Sequence, residues 1–335
     1  MKHLQLVSLR LALTAAPLLC ALAAPPAHAS PATVEAHVAA AAAAAGSDLG
    51  ALLALCKPAP TGKRTAEESL KHLKAQIDRP APPPGRAFDN LYFVGAAWVS
   101  AWALKTSDGI ILFDALDNRA EAEALIEGGM RRLGLDPAQI RVIVVTHGHG
   151  DHYGGARSLV EKYAPRVVMS EADWRMTETR LEFESPLWDA PPRRDLVVGD
   201  GEEIRLGDTL VTMHLTPGHT LGTLSPSFEV RDASGVHRAL LWGGTSFNFG
   251  RDVGRLDAYI ESTRRAAEIV RSEAIDVLIS NHPAFDGSLA KLERIRREAG
   301  AAANPFVIGT PAVLRALTVM GECAQAQRER FLSNP

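Results

Sequence analysis

Three histidines and an aspartate fall within the six positions His147-Gly148-His149-Gly150-Asp151-His152, directly after the apolar run Val142-Ile143-Val144-Val145. The β-branched run reads as a buried strand and the glycines as a turn, which places the polar cluster at a strand end. Imidazole and carboxylate at this density constrain the fold more than any other stretch, because they ask for a metal and hence for ligands from elsewhere in the chain. His147 and His149 lie two apart and project from one side of an extended segment. Gly148 and Gly150 let the backbone bend so that Asp151 and His152 face a second centre. Two further histidines stand where a predicted strand gives way to a turn: His219 after 209–216, in Pro217-Gly218-His219-Thr220, and His282 after 275–280, in Asn281-His282-Pro283. His214 is mid-strand, and His3, His28, His37, His72 and His237 have no ligand-rich company, so these are read as non-ligands.

The organisation around that loop follows from punctuation. Residues 1–29 open with Lys2 and Arg10, continue through an apolar centre broken by Pro17, and end on Ala27-His28-Ala29. This is the pattern of a cleaved secretory signal, too short to span a bilayer, and a periplasmic or secreted protein without a membrane anchor is expected. Cleavage removes two cations and moves the formal charge from -3 to -5, which argues against a nucleic-acid partner. Cys56 and Cys323 are left, and export makes a bridge between them the expectation. Residues 30–85 read as an Ala-rich helical segment followed, over 57–85, by an extended Pro-rich connector. From 86 to 335 the pattern is strand, strand, turn at Ser107-Asp108-Gly109, strand, a helix starting at Asn118, and then further strand and helix alternation, which predicts one α/β domain.

The segments THGHGDH, TPGHT and the SNHP histidine, in this order and at these separations, resemble the metallo-β-lactamase superfamily over about 88–282, and are most similar to subclass B3. The strand ending at Asp114 resembles the first motif of that family. The resemblance implies a four-layer αβ/βα sandwich of two mixed β-sheets flanked by helices, with two Zn2+ per chain on loops along one edge. His147, His149 and His219 would hold the first ion, and Asp151, His152 and His282 the second. Trp242-Gly243-Gly244-Thr245 carries no aspartate or cysteine where some relatives place a further ligand, and no ligand is assigned there. The serine pair with which B3 enzymes grip a substrate carboxylate falls on Thr245 and Phe247, so Thr245, Ser246 and Asn248 are the candidate substrate-binding residues.

The expected chemistry follows from the ligand set. Two divalent ions activate a shared water for attack on a carbonyl, Asp151 orients that water, and no protein nucleophile is needed. The expectation is therefore an exported dizinc hydrolase acting on a small molecule as a monomer, with a cyclic amide such as a β-lactam in the lead. The same machinery acting on lactones, esters or thioesters is the alternative, followed by a noncatalytic metal-binding protein or an iron-dependent dioxygenase. Trp98, Phe247 and Phe285 are read either as apolar walls of the mouth or as core. Gly154 and Gly155 are read as allowing close packing of the following helix.

Overall fold

The computed structural model describes residues 33–59, 65–298 and 303–333, so the predicted signal segment lies outside the described residues. Thr33–Pro335 form a single unit. Seven strands in chain order make the first sheet: β1 (Gly85–Arg86), β2 (Leu91–Phe93), β3 (Trp102–Thr106), β4 (Gly109–Phe113), β5 (Ile140–Val144), β6 (Arg166–Ser170) and β7 (Leu196–Val198). The second consists of β8 (Glu203–Leu206), β9 (Thr209–Leu215), β10 (Leu224–Asp232), β11 (Gly235–Trp242) and β12 (Val277–Ser280), side by side in the order β12-β11-β10-β9-β8. Both sheets are mixed. β1 to β4 are antiparallel and β4 to β7 parallel, whereas β12 runs parallel to β11 and the rest of its sheet is antiparallel.

The sheets face one another across a buried apolar layer that includes Leu104, Val144, Leu241 and Ile279. Phe113 of one stacks on Phe228 of the other with ring centroids 4.8 Å apart. Each sheet is hydrophobic on its outer side as well, which is why neither could face water. Ile126, Met130, Leu159 and Trp174 cover the first. Tyr259 and Val270 of the helix Val253–Glu273, with Val313 and Leu317 of the helix Thr310–Ser333, cover the second. Helix, sheet, sheet and helix make the four expected layers, and each fully buried aliphatic or aromatic side chain contributes about 1.5–3 kcal/mol.

Local rules account for the helix ends. The Asn118 side chain accepts the Glu121 N–H at 3.0 Å, as its spacing predicted, and the helix then passes through a π-helical turn, Ala122–Glu127. One expectation fails: 57–85 is not extended throughout, because Ala66–Ile77 is an α-helix. The prolines cluster on either side of it, leaving Glu, Lys, Leu and Ala in the middle. The Thr65 hydroxyl and the Glu68 carboxylate also cap each other's backbone N–H. Val34–Ala45 and the 3-10 turn Gly50–Cys56 pack on the last helix, where Cys56 and Cys323 form a disulfide. Among the described residues no helix is long and apolar enough to cross a membrane.

Candidate metal centre

Five strand ends deliver the polar residues: β4 leads to Asp114, β5 to 147–152, β9 to His219, β11 to 243–248 and β12 to His282. His147, His149 and His219 bring one donor atom each to within 4.8 Å of one another, and so do Asp151, His152 and His282. Each group draws on a loop from both sheets. Five of the six are buried, with His147 and His152 at 0 % exposure and His219 at 2 %, and His282 is half-buried.

The hydrogen bonds behind the rings decide which nitrogens face inward. Nδ1 of His147 donates to the Gly243 carbonyl, Nδ1 of His219 to the Ser246 carbonyl and Nδ1 of His282 to the Trp98 carbonyl, each at 2.7 Å. His152 donates through Nδ1 to Asp114 Oδ2 at 2.8 Å. Nε2 is then the free donor of each ring, and those of His147 and His219 stand 3.1 Å apart. The His152 Nε2 is buried without a hydrogen-bond partner, 3.2 Å from Asp151 Oδ2. A buried polar atom left this way costs about 1–3 kcal/mol unless something binds it. Imidazole nitrogens and a carboxylate, three to a centre, are the donors zinc takes when a coordination position stays open. The residues therefore fit two divalent ions.

Charge is arranged to match. Burial pushes the His147 and His219 rings well below the usual histidine range, and neighbouring imidazoles push the same way, so both are neutral donors at pH 7. Burial acts on His152 in the same direction, but the Asp151 and Asp114 carboxylates outweigh it and hold the ring up at about 10 in the metal-free protein. Asp151 is ionised, because the histidines around it overcome the effect of burial. Asp117 is the counter-case. Burial, reinforced by the Glu121 and Asp151 carboxylates, lifts it well above the ordinary carboxylate range, and its oxygens accept the indole N–H groups of Trp188 at 2.6 Å and Trp98 at 3.2 Å.

The frame around these donors is held by polar residues at loop roots. Asp114 has a positive φ of 60°, a conformation aspartate tolerates better than most residues, and its carboxylate accepts Thr146 N–H at 2.7 Å and Thr146 O–H at 2.9 Å besides His152. Asp173 ties the first loop to the His219 loop by accepting Gly148 N–H at 2.9 Å and the Thr220 hydroxyl at 2.8 Å. Gly154 and Gly155 lie against backbone: a Cβ on either would stand 1.8 Å from Asp117 O or 2.3 Å from Ala115 O. At Gly150 a Cβ would enter the Trp188 ring, 2.3 Å from its nearest atom, so 180–190 can pack over the loop.

The sequence-predicted mouth residues divide. Thr245 is buried, with its hydroxyl 3.2 Å from Ser280 Oγ, whereas Ser246 is half-buried and Asn248 exposed. Phe247 is core, against Tyr259 at 4.9 Å. Trp98 and Phe285 flank His282, at centroid distances of 5.6 and 6.4 Å. Sequence reasoning missed Asp117, Asp173, Trp188, Glu182 and Arg255. Glu182 accepts from His149 Nε2 at 3.2 Å and from Arg255 at 2.5 Å, which together hold its carboxyl down at about 2 against the opposing effect of burial. Nothing in the spacing of these five residues announces them; their partners come from segments distant in the chain.

Residues 96–233 match the model of the metallo-beta-lactamase superfamily. Among curated proteins, a hydroxyacylglutathione hydrolase of Chromohalobacter salexigens is 28% identical over 249 residues, covering 66% of this chain and 87% of that one. Two of the same name, from Rhodopseudomonas palustris and Acidiphilium cryptum, are 34% and 30% identical, and the chain spans only 34% and 50% of their length. Among solved structures, a subclass B3 metallo-beta-lactamase of Bradyrhizobium japonicum superposes with a TM-score of 0.67 at 27% identity, over 78% of this chain and 98% of its own. A metallo-beta-lactamase of Legionella gormanii, at 22% identity and a TM-score of 0.62 over 76% and 97%, shares the fold.

Proposed function

We propose, on the premise that this chain belongs to the metallo-β-lactamase superfamily, that it is an exported dizinc hydrolase which opens cyclic amides, with B3-like β-lactamase activity and a weak hold on the drug's carboxylate. The observation that carries this reading is the pair of donor triads with only Gly243 and Gly244 at the neighbouring strand end, so that no side chain from β11 joins either centre. That is the arrangement the resemblance to subclass B3 implies, and a solved B3 enzyme is covered over nearly all its length. The disulfide supports export, since such bonds persist in oxidising compartments.

His147, His149 and His219 would hold one zinc ion, and Asp151, His152 and His282 the other. Bound there, the ions supply Lewis acidity toward a carbonyl oxygen and an activated water as nucleophile. The chain's own part is positional. Asp151 presents a carboxylate that can bind its ion through one oxygen and orient the attacking water through the other. Trp98 and Phe285 give the His282 side an apolar wall, while Ser246 and Asn248 offer the polar groups nearest the surface. No serine pair grips the carboxylate, and losing one or two hydrogen bonds to a charged group, at about 1.5–3 kcal/mol each, weakens binding by roughly one to four orders of magnitude. The deficit falls on KM. Thioester hydrolysis is the second reading, favoured by the name its sequence relatives carry.

The test compares kcat/KM for a penicillin, a carbapenem, an acyl-homoserine lactone and an acyl-glutathione thioester on one preparation of zinc-loaded protein. Measurable β-lactam turnover that disappears with chelator and in Asp151→Ala supports the reading. β-Lactams at the chelated background, beside turnover of the thioester or lactone, replace it with the alternative.

A further inference from the structure

His149 differs from the other ring donors in what stands behind it. The rings of His147, His219 and His282 lean on backbone carbonyls, and His152 on a carboxylate at its own sheet's strand end. The support for His149 is instead a side chain 33 positions away, Glu182, on a coil segment outside regular secondary structure. Glu182 does not stand alone. Its Oε1 is held by Arg255 Nη1 at 2.5 Å, on the first turn of the helix Val253–Glu273. Arg255 is fixed in turn: its Nε donates to the Gly218 carbonyl at 2.8 Å, beside His219, and its guanidinium lies 4.1 Å over the Phe249 ring. The Glu182 and Arg255 side chains are 20 % and 13 % exposed, so water screens the pair little.

We propose that Glu182 and Arg255 are a positioning pair for the first metal: Glu182 accepts a hydrogen bond from the Nε2–H of His149 and so leaves Nδ1 for the ion, and Arg255 keeps Glu182 in that place. The inference rests on the reading of His147, His149 and His219 as a metal site. Its consequence is that metal affinity at this centre depends on a contact between two segments of the mouth, 180–188 and 249–255, rather than on the β5 loop alone. At the second centre His152 leans instead on Asp114 and His282 on the Trp98 carbonyl.

The experiment loads wild-type protein with cadmium-113, records one resonance per centre, assigns the first by its loss in His219→Ala, and measures stepwise zinc affinity against a chromophoric chelator. Removing a carboxylate that orients a ligating histidine typically costs 10–100-fold in metal affinity. Glu182→Ala is therefore expected to weaken the first zinc by about that factor and to shift the first cadmium resonance, with the second resonance and the second affinity unchanged. Arg255→Ala is expected to do the same to a smaller degree, and Glu182→Ala/Arg255→Ala no more than Glu182→Ala alone, because the arginine acts through the carboxylate. Equal weakening at both centres, or additive losses in the double variant, would mean that the pair merely holds the loops together and overturns the proposal. So would wild-type affinity and resonances in Glu182→Ala. Wild-type protein that binds no metal at the first triad defeats the proposal together with the reading beneath it.

Discussion

Replacing Asp114 by asparagine isolates the role of one buried carboxylate. In the wild type its oxygens receive three donors, Thr146 N–H at 2.7 Å, Thr146 O–H at 2.9 Å and His152 Nδ1–H at 2.8 Å. Asparagine keeps the shape and one acceptor oxygen. That oxygen goes to the Thr146 N–H, and the new NH2 group then points at His152 Nδ1, donor against donor. The ring relieves the conflict by giving up its Nδ1 proton and keeping the one on Nε2, the atom that would face the metal. Binding the second zinc then requires that proton to move to Nδ1 without the carboxylate's help, which removes a charge-assisted hydrogen bond of about 1.5–3 kcal/mol. The second zinc should bind roughly 10–150-fold more weakly, and the first within about threefold of wild type. Competition with a chelator at pH 7 reads both constants. Unchanged second-site affinity in Asp114→Asn would refute the tautomer argument, as would an equal fall at both sites.

Three other outcomes are expected. Each triad draws on both sheets, so metals at about 100 times their Kd add roughly 2.7 kcal/mol apiece, and a chelator should lower Tm by on the order of 10 °C; an unchanged Tm in calorimetry would mean that the triads do not fasten the sheets. Cys56→Ser opens a loop with a sequence separation of 267 and should cost about 5 kcal/mol, read as a lower urea midpoint with kcat/KM within twofold; a large loss of turnover in the folded variant would place the bridge in the site. Asp117 keeps its proton in the folded chain well above the pH where the unfolded chain loses it, so its burial costs stability from near pH 4 upward, by at most about 1.4 kcal/mol per pH unit. The stability advantage of metal-free Asp117→Asn over wild type should accordingly grow from pH 5 to pH 8, and a pH-independent difference would show that the carboxyl is ionised when folded.

The two candidate triads were legible because each of their residues sits where a strand pattern stops. Val142 to Val145 announces its own end, and the histidines and aspartate behind it are too dense for an ordinary turn. The same logic found His219 and His282 and passed over His214, whose Nε2 is 2.9 Å from Ser227 Oγ in the interior. The frame was less legible. Asp173 reads in sequence as the third residue of a helix, and its bonds to the Gly148 N–H and the Thr220 hydroxyl come from segments 25 and 47 positions away. Local patterning carries no trace of such distances. The helix Ala66–Ile77 was hidden for another reason: prolines at its borders colour the whole window, although the capping pair Thr65 and Glu68 was there to be read. Thr245 shows a third limit, since alignment can place a residue beside the site without saying which way its hydroxyl turns.

The bond between Cys56 and Cys323 also sets an order of events. Cysteine 56 leaves the ribosome early, whereas its partner arrives in the last helix, Thr310–Ser333, when almost everything between them has been made. Only a chain made through its last helix can therefore close this bond. The bond fastens the N-terminal helices to the last helix of the sandwich. A chain cut before residue 323 could lay out all six candidate donors and still lack the clasp that fastens its N-terminal helices.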